Sequence, residues 1–212
     1  MAQDRVPLRE RKKLRTREAL IDTALTLFSE RGFAHTTLDE LCDAVEVSKR
    51  TFFRTFTSKE DVTMAPIQDM WAAFLDELRV REPAGRTVLA MLQDALLAAV
   101  DRMTADDWAA RVLLSRQLAT RTPSMNAHGL DFCDRTIRAA LTVLHERLDV
   151  ADADDVRLRL ALDILVAAFH RALETWAGRS GTPDRADLVA ELWVAFRAVP
   201  DSLTLTAARR AA

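Results

Sequence analysis

Apolar residues recur at every third or fourth position along most of the chain, which is the spacing of an amphipathic helix. The pattern is clearest between residues 15 and 31, and it stops at Gly32, a residue suited to terminate a helix. Leu20, Ala24 and Phe28 share one side of this segment, and charged residues occupy the other side. The pattern therefore predicts a first helix over residues 15–31.

Two short helices and the beginning of a fourth helix are predicted next. The stretch Thr37-Leu-Asp-Glu40 has the spacing of a capping box, which starts a helix. Ser48 is a suitable N-cap for a third helix over about residues 49–56, and Ser58 is one for a fourth. Two short helices joined by a tight turn are typical of a helix-turn-helix, whose second helix normally enters the DNA major groove.

The rest of the chain is also predicted to be helical. Pro66 lies well inside the fourth helix, so we expect a kink there. Further helices are predicted over residues 88–103, from Asp106 or Asp107 onward, and over residues 126–148, 155–177 and 184–198. The chain is therefore predicted to have an all-α fold of about nine helices.

The composition agrees with a helical protein that does not enter a membrane. Weak helix formers are scarce, since only 5 Gly and 6 Pro occur among 212 residues. No run approaches the roughly 20 apolar residues of a membrane-spanning helix. The first residues lack the apolar stretch of a signal peptide. We therefore expect a cytoplasmic location and no contact with a membrane.

Charge is distributed unevenly along the chain, although the net charge is only −2. Residues 1–17 hold seven Lys and Arg against two Asp and Glu, which indicates a polyanionic partner, although such basic ends are often only solvated. Cys42 and Cys133 lie far apart, and the four histidines are scattered. We therefore predict no metal site, no cofactor and no catalytic residues.

The third helix is predicted to contact DNA directly. On a helix that starts after Ser48, residues Lys49, Arg50, Thr51 and Arg54 can point outward while at least one phenylalanine packs inward. Arginine and lysine can donate to guanine, and threonine can meet the thymine methyl group. Backbone N–H groups at the following cap suit phosphate. The predicted DNA-contacting residues are Arg15, Thr37, Ser48, Lys49, Arg50, Thr51, Phe53, Arg54, Thr55 and Lys59.

The block from Phe28 to Val62 resembles the DNA-binding domain of the TetR family of bacterial repressors. The features that carry the resemblance are Phe28-Ser-Glu-Arg-Gly-Phe33, the Thr37 cap, the aromatic residues Phe53 and Phe56, and Ser58-Lys-Glu60. The resemblance covers about residues 12–64. It implies a DNA-binding domain over residues 12–60 and an effector-binding and dimerisation domain over 61–200. Charge and terminal position predict a basic flexible tail over residues 1–11 and a disordered tail over 201–212.

Three positions depart from the family pattern. Glu46 stands where the family usually has glycine in the turn, so a left-handed backbone there would be strained and its charge would lie near DNA. Arg50 replaces a small residue and adds a long hydrogen-bond donor. Phe53 replaces a tyrosine that commonly contacts phosphate, so that contact is lost or passes to Thr55 or Lys59.

The resemblance also implies an effector pocket in the C-terminal region, where the likeness is looser and similar to the branch with acyl-CoA-like effector domains. An apolar pocket with a few polar groups fits such a role. The predicted ligand-binding residues are Trp71, Phe74, Met103, Trp108, Arg111, His128, Phe132 and Phe169. For the aromatic residues, packing in an ordinary core is the competing interpretation.

The last two long helices are predicted to form a homodimer through a four-helix contact. The predicted interface residues are Ile164, Leu165, Ala168, Ala172, Leu188, Leu192, Trp193 and Phe196. The competing interpretation is that these faces only cover the core of the protomer.

These expectations describe a homodimeric transcriptional regulator. It would bind a palindromic double-stranded DNA operator and be released by a small, acyl-CoA-like or other apolar effector, with repression as the commoner family behaviour and activation left open. One alternative is a DNA-binding dimer without an effector, which a cavity filled by side chains would favour. An all-helical enzyme is another, but no nucleophile–base pair or phosphate loop is seen in the sequence.

Overall fold

A computed structural model describes residues 7–150, 155–182 and 184–207. Over these ranges the chain forms nine α-helices and no strand, which confirms the predicted all-α fold. The helices are α1 (Leu8–Arg31), α2 (Leu38–Ala44), α3 (Lys49–Phe53), α4 (Lys59–Val80), α5 (Val88–Asp101), α6 (Trp108–Arg121), α7 (Pro123–Arg147), α8 (Val156–Ala177) and α9 (Arg185–Thr204). Among the described residues, no helix combines the length and apolar character needed to cross a membrane.

Helix α1 begins earlier than its apolar pattern predicts, because Leu8–Arg15 is helical although it buries nothing. Arg, Lys, Leu and Glu are strong helix formers, and Pro7 lies at the N-cap, where its missing N–H costs nothing. The predicted tail over residues 1–11 therefore overlaps a helix from Leu8 onward, and residues 1–6 lie outside the described part.

Two other helices differ from their predicted lengths. Helix α3 ends at Phe53, since the amides of Thr55 and Phe56 both bond to the carbonyl oxygen of Phe52 in a turn. Helix α9 continues through Pro200 to Thr204, and so enters the region predicted as a disordered tail over residues 201–212. Residues 208–212 of that tail lie outside the described part.

The chain divides into two compact units. The N-terminal unit comprises the described residues up to Asp69 together with Arg111–Phe132, so it contains α1 to α3 and parts of α4, α6 and α7. This unit is larger than the predicted domain over residues 12–60, because side chains of α6 and α7 join its core. The core residues include Leu20, Ile21, Leu25, Phe28, Leu41, Phe52, Phe56, Val62, Leu118 and Met125.

The C-terminal unit comprises Met70–Ala110 and the described residues from Cys133 onward. Its helices bury a second set of apolar side chains, including Met70, Phe74, Leu78, Leu92, Leu96, Leu165, Phe169, Leu188 and Leu192. Polar contacts also tie its helices together. The indole Nε1 of Trp176 donates to the backbone oxygen of Asp184 at 2.8 Å, and Arg147 donates to the backbone oxygen of Leu78 at 3.0 Å.

Candidate nucleic-acid interface

Helix α2 begins with the predicted capping box. The Oγ1 atom of Thr37 accepts from the amide of Glu40 at 3.2 Å, and the Glu40 carboxylate accepts from the Thr37 amide at 2.7 Å. The bond from the Thr37 amide, and after it the bond that the Thr37 hydroxyl donates to the same carboxylate at 2.9 Å, lower the pKa of Glu40. Thr37 therefore fixes the start of α2 and remains exposed at its N-terminus, where helix dipoles favour an anion.

The turn between α2 and α3 holds a strained residue. Glu46 has a φ of 55°, as its position in place of glycine predicts. Its amide donates to the Asp43 oxygen at 3.1 Å, and the Val47 amide donates to the Cys42 oxygen at 2.9 Å. These bonds make a tight turn, so that only three residues separate the end of α2 at Ala44 from the Ser48 cap of α3.

Helix α3 is capped by Ser48, whose Oγ atom accepts from the amide of Thr51 at 3.2 Å. The same Oγ lies 3.0 Å from Oγ1 of Thr51, and Thr55 donates its hydroxyl to the Thr51 backbone oxygen at 3.4 Å. The hydroxyl groups of these three predicted DNA-contacting residues therefore already take part in the local structure of α3. Their first role is to shape the helix.

The three phenylalanines of this region have different environments. Phe52 is 0% exposed and Phe56 is 3% exposed, so both anchor α3 and the following turn in the core. Phe53 is 55% exposed, with its ring edge-on against Phe52. A helix rotates by about 100° per residue, which places neighbours on different faces. The exposed face of α3 therefore carries Phe53 with Lys49 and Arg50, and Arg54 is exposed at its C-cap.

Lys49 has an acidic partner that no local pattern predicts. Its ammonium lies 2.9 Å from Oδ1 of Asp39 on α2, and both side chains are more than half exposed. The hydrogen bond to Asp39 is the main cause that raises the pKa of Lys49. An exposed pair of this kind is weak, so Lys49 can exchange Asp39 for a phosphate at small cost.

Lys59 is placed differently from its predicted role at phosphate. Its ammonium donates to the backbone oxygens of Phe33 and Thr36, at 2.8 Å each. It also lies 4.6 Å from the centre of the Phe33 ring, where the aromatic face favours a cation. Lys59 is half-buried and joins α4 to the segment before α2. Its position therefore favours a structural role for Lys59.

Ion pairs connect α1 to other helices of the N-terminal unit. Arg17 donates to both carboxylate oxygens of Asp69 on α4, at 2.9 and 2.7 Å. Burial raises the pKa of Asp69, and the charge of Arg17 opposes this effect. Arg111 on α6 pairs with Glu18 and Asp22 of α1. Sequence reasoning did not find these partners, because each pair joins residues far apart in the chain.

Comparisons with known proteins agree with this geometry. The family model described as bacterial regulatory proteins, tetR family, matches residues 20–64, which contain α2, α3, the second half of α1 and the start of α4. The HTH-type transcriptional regulator TcmR of Streptomyces glaucescens is 37% identical over 201 residues, which are 92% of this chain and 86% of that protein. The chain belongs to the TetR family.

More distant relatives carry related names. The negative transcriptional regulator IcaR of the biofilm operon icaADBC in Staphylococcus epidermidis is 22% identical over 175 residues, covering 82% of this chain and 89% of IcaR. A crystal structure of a TetR-family regulator from Mesorhizobium loti aligns with a TM-score of 0.48 at 18% identity, covering 90% of this chain and 97% of that one.

In this TetR-family chain, the predicted ligand-binding residues do not lie together in one unit. Trp71 packs edge-on against Phe74 and Phe169 in the C-terminal unit, with ring centroids 5.3 and 5.1 Å away. All three are buried, which favours the core interpretation. Trp108 is also buried in this unit, and Met103 is half-buried beside a polar surface groove of about 190 Å³.

The other three predicted ligand-binding residues belong to the N-terminal unit. Arg111 already pairs with two carboxylates of α1, so its charge is largely neutralised. The Nε2 atom of His128 lies 3.1 Å from the amide nitrogen of Gln68 and 3.9 Å from a carboxylate oxygen of Asp61. Phe132 is half-buried. The polar residues predicted for an acidic effector thus have partners within their own unit.

The predicted dimer residues separate into two groups. The structure places six of the eight in the core of the C-terminal unit, because α8 and α9 pack on each other along the faces that the apolar pattern marks. These six are Leu165, Ala168, Ala172, Leu188, Leu192 and Phe196. Ile164 is half-buried, and Trp193 is 45% exposed. Only these two of the eight retain surface that a second protomer could cover.

Proposed function

We propose that this regulator binds an operator in double-stranded DNA as a homodimer, with α3 in the major groove of each half-site. The observation that carries the proposal is the division of α3 into a buried anchor, Phe52, and an exposed face with Lys49, Arg50 and Phe53. A helix this short contributes little to the core beyond one side chain. Its exposed side chains are therefore available for another molecule.

The charge and spacing of this face suit base edges. Arg50 is one turn from Arg54, so the two guanidinium groups can reach neighbouring base pairs. Guanine presents two acceptors, O6 and N7, which match a guanidinium. Exposed Arg15 on α1 and the exposed N-terminus of α2 at Thr37 are suited to phosphates, which position the protein without reading sequence.

The homodimer is proposed to form through apolar surface that α8 and α9 leave exposed. On α8, Val156, Leu160 and Ile164 follow one another at four-residue spacing, and the first two are 62% and 51% exposed. On α9, Trp193 and Val194 are 45% and 57% exposed. Large apolar side chains grouped on neighbouring helices are typical of a protein interface.

The mass of the complex with DNA tests both parts of the proposal. Duplexes selected from a random library by the purified protein should share a palindromic sequence and bind two protomers each. Leu160→Glu should shift free protein toward monomer in sedimentation, whereas Leu130→Glu, at an exposed apolar position on α7, should not. A monomer that enriches no sequence at moderate salt would contradict the proposal.

The proposal includes repression that a small, mostly apolar effector releases. The name of the relative IcaR, a negative transcriptional regulator, supports repression. An effector acts only if it binds one arrangement of the DNA-binding helices more tightly than another. Native mass spectrometry of freshly purified protein should reveal a bound small molecule, and adding it should weaken DNA binding. A bound molecule without any effect on DNA binding would contradict this part.

A DNA-binding dimer without an effector remains a second candidate, and the packing of Trp71 against Phe74 and Phe169 favours it. These side chains fill space that an apolar ligand would otherwise occupy. Phe169→Ala would open a cavity there. If wild-type protein carries no molecule and no apolar compound changes its DNA affinity, this second function is supported. The relatives' names, all of transcriptional regulators, favour either candidate over an enzyme.

A further inference from the structure

Phe53 is an apolar ring on a cationic surface. It is 55% exposed, while its neighbour in sequence, Phe52, is fully buried. The two rings meet edge-on, with centroids 5.4 Å apart and planes at 87°. This contact limits the freedom of the Phe53 side chain, because an edge-to-face pair favours one relative orientation.

The position of Phe53 on α3 places it among the residues proposed to reach bases. It follows Lys49 by four residues and Arg50 by three, and residues at these spacings lie on the same face of a helix. A single exposed apolar residue is ordinary on a protein surface. Here, however, the ring packs against Phe52 and lies beside two exposed cations on the helix that is proposed to enter the groove. A contact between the ring and DNA is therefore consistent with its position.

The chemistry of the ring limits what it can recognise. Phenylalanine has no donor or acceptor, so it cannot bond to a phosphate or to the polar edge of a base. In the major groove the apolar group of a base pair is the C5-methyl of thymine, and an apolar side chain can pack against it. Deoxyribose also offers apolar surface, but it carries no sequence information.

We propose that Phe53 reads a thymine methyl group in each half-site of the operator, which makes it a specificity-determining residue. This inference rests on the proposed function, in which α3 enters the major groove. The ring replaces water around the methyl group and so favours thymine over cytosine or uracil at that position. Arg50 and Lys49, on the same face, would read or contact the neighbouring positions.

The test replaces single thymines by deoxyuridine, which pairs identically but lacks the methyl group. A duplex selected by the wild-type protein from a random library is resynthesised with deoxyuridine at one position of a half-site at a time. Losing the burial of one methyl should weaken binding about four-fold for one half-site and about fifteen-fold for both. One thymine per half-site should show this loss.

Three variants make the result specific. Phe53→Ala should bind the thymine and deoxyuridine duplexes equally, and Phe53→Leu should keep part of the preference. Leu130→Ala removes a side chain that is 69% exposed in the same unit and should keep the whole wild-type preference. All three change exposed positions, so circular dichroism should show an unchanged thermal midpoint within a few degrees.

Several results would overturn the inference. They are a wild-type protein insensitive to deoxyuridine at every position, a selected sequence without thymine in its half-sites, and a Phe53→Ala variant that retains the deoxyuridine penalty. Weaker binding by Phe53→Ala without any deoxyuridine effect would assign the ring to deoxyribose and also overturn it. If the wild-type protein selects no sequence at all, the proposed function itself fails, which is a distinguishable outcome.

Discussion

Helices α3 and α8 use their side chains in opposite ways. Helix α3 has 5 residues and buries only Phe52, whereas α8 has 22 residues and buries eight, including Leu165 and Phe169. An isolated helix as short as α3 is unstable in water, so its shape depends on the Ser48 cap and on the Phe52 anchor. Helix α3, the element proposed to read DNA, is therefore held in shape by its cap and by one side chain in the core, which leaves its exposed face free for recognition.

The largest effect is expected where α8 is most deeply packed. Phe169→Ala removes a ring that is 1% exposed and should lower the free energy of unfolding by about 3–5 kcal/mol. All four tryptophans belong to the C-terminal unit, so urea unfolding followed by tryptophan fluorescence reports on this unit. Leu203→Ala, at a position on α9 that is 71% exposed and outside the proposed interface, is the control and should cost far less. Equal losses for the two variants would contradict the assignment of Phe169 to the core.

On α3 the expected effect is on DNA binding and not on stability. Arg50 is exposed, so Arg50→Ala should leave the unfolding midpoint nearly unchanged and weaken binding to a selected duplex about 10- to 100-fold. Fluorescence anisotropy with a labelled duplex measures the affinity. Arg135→Ala, on α7, supplies a control for the loss of one positive charge. A variant that keeps both affinity and sequence preference would remove Arg50 from the base-reading face.

A substitution in the turn that precedes α3 is expected to have a smaller effect, and to stabilise the protein. Glu46→Gly should relieve the strain of a φ near 55° and stabilise the protein by up to about 1 kcal/mol. Glu46→Ala removes the same charge but keeps a Cβ atom, so it should give no such gain. Comparing the two urea midpoints separates backbone strain from charge. A larger gain for alanine than for glycine would show that charge repulsion dominates.

The caps of α3 and α8 differ in their response to acid, and this difference gives the smallest of the expected effects. Helix α8 is capped by Asp155, whose pKa is lowered from 3.8 to about 2, chiefly by the side chain of Arg157. A lowered pKa stabilises the folded state above pH 4, and this contribution is lost as the pH falls from about 4 to 2. Asp155→Asn keeps a capping residue without the charge. The difference in urea midpoint between wild type and variant should therefore shrink over this range, and a constant difference would contradict the account.

Local signals in the sequence were sufficient to predict where most helices lie and how α2 and α3 begin. The Thr37 capping box and the Ser48 cap depend on residues within a few positions, and the structure confirms both. The expectation for Glu46 came instead from the glycine that the family usually has in this turn, and Glu46 has a φ of 55°. The apolar spacing of α8 and α9 predicts which residues are buried, but it cannot tell the core of a protomer from an interface. Six of the predicted interface residues are buried within the protomer, as its own core also requires.

Contacts between distant residues could not be predicted in the same way. The Lys49–Asp39 pair joins two helices, and Lys59 bonds to backbone oxygens that precede α2. No periodicity relates such partners, because their distance depends on how helices pack and not on spacing along the chain. A count of cations in the sequence therefore overstates how many of them are available to DNA. Such a count cannot distinguish the exposed Arg50 and Arg54 from Lys59, which bonds within the protein.

The most direct test of the claim that α3 reads the major groove is chemical protection of a selected duplex. Dimethyl sulfate methylates guanine at N7 in the major groove and adenine at N3 in the minor groove. The wild-type protein should protect guanine N7 at two places about one helical turn, or ~34 Å, apart, and Arg50→Ala should lose protection at the same position in both half-sites. Protection confined to adenine N3, or guanine protection that Arg50→Ala leaves unchanged, would contradict the account.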